Sequence, residues 1–200
     1  GNILCMASTP SYNPNKIIQK PNKEYWDSIL ENELSPLTYR CIQGLYAPGS
    51  TFKMVVAIAG LVHGIIDTNT KHFCSGKIGL GDRLYHCWKN NGHGSMNVSN
   101  AIKESCDVFF YEISKKIGID KISKVAEDFG LGKIYDFPLP NQKKGIIPSR
   151  DWKKKKYDES WYPGETLISA IGQGFVLTNP LQLAVMTSII ASNGKNIKPN

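Results

Sequence analysis

Two hundred residues with 41% apolar content suffice for one domain with a buried core, and they exclude a chain disordered throughout. The formal charge of +7, from 24 Lys and Arg against 17 Asp and Glu, suits an anionic polymer or a membrane surface. It does not signal nucleic acid, because the densest basic run, Lys153 to Lys156, has only Trp152 and Tyr157 as aromatic neighbours and no nucleic-acid motif. In chain order, Ile3 to Ala7 reads as a strand. Ser11 to Leu34 is polar and rich in Asn, Lys and Pro, so it reads as loop with a short helix at Glu24 to Leu30. Pro48-Gly49 makes a turn, and the apolar run behind it predicts a buried helix over Phe52 to Gly64, stopped by Gly64. His72 to Gly94 is glycine-rich and reads as an irregular excursion. Short helices are expected at Asn97 to Glu104 and at Val108 to Ile117. Asp120 is expected to cap a further helix that runs to Gly130. Pro138 to Pro148 reads as loop, and Lys153 to Lys156 as a solvated loop. Asn179 caps a long helix with Pro180 at its first position, ending at Asn193-Gly194. No run of 18 or more apolar residues and no signal peptide occurs in these residues.

The octapeptide Tyr46 to Lys53, YAPGSTFK, carries the chemistry. Ser50 sits at a helix N-terminus, where unpaired N–H groups favour negative charge. Lys53 follows one turn later on the same face. A serine alcohol is a weak nucleophile until a base takes its proton, and a neutral lysine within reach is such a base. The spacing thus supplies a nucleophile, a base and a place for developing negative charge. A second match, Ser192-Asn193-Gly194-Lys195, falls where a helix runs out, and reads as a frayed end.

Three of the five cysteines gather with one histidine in a short window: Cys74, Cys87, His93 and Cys106. Three thiolates and an imidazole form a preferred tetrahedral zinc set. The segment between them has little apolar mass, and a metal is one way to hold it. If the backbone there is extended, Cys106 points away from its neighbours Ser105 and Asp107. Three readings stand: a structural zinc, a Cys74–Cys87 disulfide with Cys106 free, or unlinked thiols. His72 and His86 are rival ligands. Cys5 and Cys41 read as buried apolar residues.

The string YxPGSTFK resembles the nucleophile motif of the serine penicillin-recognising enzymes. Ser105-Cys106-Asp107 stands where that family has its second motif, Ser-x-Asn. Residues 1–8, Pro10, Tyr12, Pro14, Asn15, Pro36-Leu37, Arg40, residues 145–153, 163–166 and 172–184 are similar to a class B penicillin-binding transpeptidase domain. The Asp at position 107 is most like the penicillin-binding protein 2 subfamily of cell elongation. Around the cysteine window, too, some members of that subfamily look similar, which supports zinc.

The resemblance implies an α/β (α+β) fold of the penicillin-binding transpeptidase and β-lactamase-like kind, an antiparallel sheet packed with helices plus a helical subdomain. Residues 1–200 would then be a partial domain, with membrane anchor, pedestal domain and the strand bearing Lys-Thr/Ser-Gly outside it. The implied activity is peptidoglycan D,D-transpeptidation: Ser50 as nucleophile, Lys53 as base, Ser105 as proton relay, and Asp107 as hydrogen-bond acceptor for substrate or lysine. As a rival, Asp107 reads as an N-cap for the helix at Val108. No catalytic cofactor is implied. Stem peptides and β-lactams are the expected ligands, and a polytopic glycosyltransferase of the elongation machinery is the expected partner. The expected location is the bacterial inner membrane, with this domain in the periplasm. With one oxyanion donor expected beyond Asn200, residues 1–200 alone are expected to acylate slowly or not at all. A β-lactam sensor, a β-lactamase and an inactive scaffold are the alternatives. No membrane-protease partner segment, no Glu-x-x-x-Asn element and no broken nucleophile motif supports them.

Overall fold

The computed structural model describes residues 1–18, 22–136 and 138–200. Residues 19–21 of the expected loop at 11–34 lie outside the described part. The class is α+β, as expected. Helices α1 (Pro14–Ile18), α2 (Lys23–Leu30) and α3 (Arg40–Gln43) come first, then α4 (Lys53–Val62). Strands β1 (His72–Cys74), β2 (Lys77–Leu80), β3 (Arg83–His86) and β4 (Gly94–Met96) follow. The remainder is helical: α5 (Val98–Lys103), α6 (Asp107–Ile117), α7 (Ile119–Asp128), α8 (Arg150–Tyr157), α9 (Pro163–Ala170) and α10 (Pro180–Ala191).

The core is built on α4, which is apolar on nearly every face and therefore sits in the middle. Val55, Val56, Ala57 and Ala59 are buried in it, and Gly64 follows its end with φ +64°. Helices α6 and α7 pack against α4, and α9 packs on α6. Phe109, Phe110, Ile113 and Ile117 fill the space between them. A second cluster joins Ile42 of α3 to Leu181, Val185 and Ile189 of α10. Asn179 caps α10, its Oδ1 accepting from the Gln182 N–H at 3.0 Å, and its Nδ2 donates to the Lys143 carbonyl at 2.9 Å.

Several expectations are corrected. Ile3 to Ala7 forms no strand: Ile3 N–H bonds to the Asn200 carbonyl, and a strand exists only where a ladder continues. The excursion at 72–94 is regular: β1 pairs antiparallel with β4, and β2 with β3. Gly81, at φ +58°, opens the two-residue turn between Leu80 and Arg83, a hairpin signal that glycine content alone disguised. Gly118, not Asp120, is the N-cap of α7, and the Asp120 carboxylate instead accepts from the Arg150 N–H. The lysine run is not a loop but helix α8, capped by the Ser149 hydroxyl. Its first lysine, Lys153, is buried and pairs with Glu165 at 2.6 Å and Glu159 at 3.4 Å. Cys5 is exposed and Cys41 half-buried, so neither is a core residue.

Candidate active site and thiol cluster

The nucleophile turn is a single 3-10 turn, Gly49–Phe52, that runs directly into α4. Gly49 enters it at φ +57°, and its N–H donates to the Gly172 carbonyl at 2.9 Å. Gly172, at φ +70°, lies so close that a Cβ there would stand 2.2 Å from the Gly49 oxygen. The preceding strand-like residue, Tyr46, exchanges both backbone hydrogen bonds with Thr178. Segment 172–178 is therefore the bench on which the turn rests. Ser50 is exposed and lies in the first turn, where N–H groups have no intrahelical acceptor.

Lys53 is 2% exposed and spends all three N–H bonds inward. They reach the Ser105 carbonyl at 2.9 Å, the Ser105 Oγ at 2.9 Å and the Asp107 Oδ1 at 2.6 Å. Three acceptors match the three hydrogens of an ammonium. The Ser105 hydroxyl in turn meets the Ser50 Oγ at 2.8 Å. Lys53 thus reaches Ser50 through Ser105, and no direct Lys53–Ser50 hydrogen bond forms among the described residues.

Local capping explains why Ser105 is available. Helix α5 ends in a Schellman closure: Cys106 N–H bonds to the Ala101 carbonyl and Ser105 N–H to the Ile102 carbonyl. The residue after the cap of such a closure takes left-handed backbone angles and is usually glycine. Here it is Ser105, at φ +51°. A glycine would relieve the steric cost and remove the hydroxyl. Cys106 then caps α6, and Asp107 is its first residue, so Asp107 is not the N-cap; its carboxylate faces Lys53 instead.

On the far side of that backbone, Cys74, Cys87, His93 and Cys106 converge, their ligand atoms all within 4.8 Å of one another. The Cys74 and Cys87 sulfurs stand 3.6 and 3.5 Å from His93 Nδ1. A tetrahedron with metal–sulfur bonds of about 2.3 Å and metal–nitrogen bonds of about 2.0 Å has sulfur–nitrogen edges of about 3.5 Å and sulfur–sulfur edges of about 3.8 Å, so the two sulfur–imidazole distances fit zinc. All five cysteines are free thiols. Burial is the main force pushing the Cys106 thiol up to about 12, with Cys74 and Cys87 adding to it. His72 stacks edge-on against Phe109 and His86 is exposed; neither joins the cluster.

Trp88 was not anticipated. Its backbone N–H donates to Asp107 Oδ2 at 3.0 Å, and its indole N–H to the Glu104 and Ser105 carbonyls at 3.1 Å each. The sequence signal was only its position, next to Cys87.

The family model described as the penicillin binding protein transpeptidase domain matches residues 1–200, the whole chain. The chain belongs to that family. The peptidoglycan D,D-transpeptidase MrdA of Acinetobacter baumannii is 38% identical over 100% of this chain and 30% of its own length. The crystal structure of Pseudomonas aeruginosa PBP2 in complex with WCK 5153 superposes with a TM-score of 0.92 at 37% identity, over 96% of this chain and 44% of that one. PBP2 of Helicobacter pylori, in its complex with MreC, gives 0.91 at 37% identity, over 94% of this chain and 35% of that one. The chain thus spans under a third of the length of the curated MrdA relative. Among the described residues, no helix is long and apolar enough to cross a membrane.

Proposed function

We propose that this penicillin-binding transpeptidase domain is the acyl-transfer unit of a peptidoglycan D,D-transpeptidase of cell elongation. The observation that carries the proposal is the unbroken chain Lys53–Ser105–Ser50, with links of 2.9 and 2.8 Å, ending on an exposed hydroxyl at a helix start. In the resting direction the hydrogens run outward from Lys53. When Lys53 is neutral, the same chain runs inward: Ser50 donates to Ser105, and Ser105 to the lysine lone pair. Ser50 then attacks the carbonyl of the penultimate D-Ala of a stem peptide. Its proton passes through Ser105 to Lys53, and the Ser50 N–H faces the developing oxyanion. The chain returns the proton to the amine of the terminal D-Ala, which leaves. A stem-peptide amine from a neighbouring strand attacks the ester and frees Ser50. Asp107 holds the lysine over its relay throughout. A β-lactam enters as the donor mimic and stays on Ser50.

Cys74, Cys87, His93 and Cys106 hold a structural zinc in this reading. Bound, it supplies a cross-link between the β1–β4 region and the Ser105–Asp107 backbone, with no open position for chemistry. The native protein is anchored in the inner membrane with this domain in the periplasm, and a polytopic glycosyltransferase is its partner. The complex with MreC described for the Helicobacter pylori protein supports a place in the elongation machinery.

The test is intact-mass spectrometry of the whole protein, and of residues 1–200 alone, after incubation with penicillin. A drug-sized adduct on Ser50 of the whole protein, absent from Ser50→Ala, is the expected result. No adduct on the whole protein would sink the assignment in favour of an inactive scaffold.

A further inference from the structure

Trp88 has an exposed indole, 62% accessible, yet every polar hydrogen it owns points inward. Its acceptors are not scattered. The Schellman closure of α5 uses the carbonyls of Ala101 and Ile102 and leaves those of Glu104 and Ser105 unpaired within the helix. The indole N–H is shared between these two. The backbone N–H takes the Asp107 oxygen that Lys53 does not. One residue therefore grips both ends of the Ser105–Asp107 segment, and the Ser105 carbonyl is held jointly by Trp88 and Lys53. The ring is itself set edge-on to His93, at 5.2 Å between centroids.

The gripped residue is the strained one. Left-handed backbone in a serine is held only where its surroundings over-determine it. A Ser105 that relaxes toward ordinary angles swings its hydroxyl off the 2.8 Å contact with Ser50. We propose that Trp88 is a positioning residue for acylation: its indole N–H keeps Ser105 in the left-handed conformation that links Lys53 to Ser50. Its hydrogen bonds go to the Glu104 and Ser105 carbonyls and the Asp107 carboxylate, and none goes to Ser50 or to the Lys53 amine. The inference rests on the proposed transpeptidase reading.

The test separates the indole N–H from the shape of the ring. Trp88 is replaced in the whole protein by phenylalanine, by benzothienylalanine, which has the ring shape with sulfur for N–H, and by 7-azatryptophan, which keeps the N–H. Stopped-flow acylation by a chromogenic β-lactam resolves non-covalent binding from the covalent step. Loss of the N–H should slow the covalent step about 10-fold to 100-fold, as displaced catalytic groups do, and leave binding within about twofold. The azatryptophan protein should acylate like the wild type. If Trp88→Phe fails to fold, the benzothienyl protein decides. Wild-type acylation in the benzothienyl protein, or equal impairment with azatryptophan, overturns the inference and leaves the transpeptidase reading intact. A wild-type protein that is never acylated overturns both.

Discussion

Ser105 in a glycine's place makes stability and activity separable by two substitutions at one residue. Ser105→Ala keeps the Cβ and its left-handed strain, while Ser105→Gly removes it. Both lose the hydroxyl between Lys53 and Ser50, so the difference between the two isolates the backbone. Relief of left-handed strain is worth about 1–2 kcal/mol, and the greater freedom of glycine in the unfolded chain returns about 0.4–1 kcal/mol. Ser105→Gly should therefore be the more stable of the pair by about 0.5–1 kcal/mol, or about 1–4 °C in Tm at this size. Both should lose about 10²–10⁴ in acylation rate, the range for a removed acid–base group. Urea unfolding followed by tryptophan fluorescence reads the first quantity, and β-lactam acylation the second. An alanine variant as stable as the glycine variant would refute the strain argument. A glycine variant that acylates normally would refute the relay.

Gly172→Ala should destabilise by at least about 1–2 kcal/mol from its backbone angle alone, and more from the 2.2 Å approach to the Gly49 oxygen. Thermal unfolding together with a loss of acylation would show that the nucleophile turn has been pushed off its bench. The purified protein should carry one zinc per chain by elemental analysis. Cobalt substitution should give thiolate charge-transfer bands that vanish in Cys106→Ser, and chelation should open three buried thiols to a thiol reagent. Glu165→Gln should lower stability more than Lys153→Met, because it strands a buried ammonium. Burial works to lower the Lys153 pKa, but the hydrogen bond and charge of Glu165, joined by Glu159, prevail and hold it above the ordinary lysine value. A raised folded pKa means that this contribution is complete at neutral pH. It should fade only as pH climbs past about 10.4 and through the raised value, so urea midpoints of wild type and Lys153→Met should converge there.

What was legible in the sequence was mostly local. Pro48-Gly49 before an apolar run, Asn179 before a helical pattern, and glycine at position 64 each act within a turn or two, and each stands where it was read. The four residues of the thiol cluster, three cysteines and one histidine, were legible because so few side chains share that chemistry. What misled was long-range or short-range in the wrong proportion. Strands of three and four residues carry too little alternation to outvote their glycines. The lysines of α8 look solvated because the carboxylate that buries Lys153 lies in another helix. Ile3 to Ala7 has strand composition, but composition does not supply a neighbouring ladder. Trp88 escaped notice because its partners, Glu104, Ser105 and Asp107, lie beyond the next strand.

The bench beneath the nucleophile bears on the order of assembly. Tyr46 and Gly49 are seated on Thr178 and Gly172, so the reactive serine is made early in synthesis and given its footing late. Loop closure over such a span is slow compared with the growth of a helix. A chain emerging from its N-terminus can complete α4 and still hold Ser50 on an unanchored turn until residue 178 has arrived. Nascent chains stalled before residue 178 should therefore show no reactivity toward β-lactams, even though Ser50 and α4 are already complete in them.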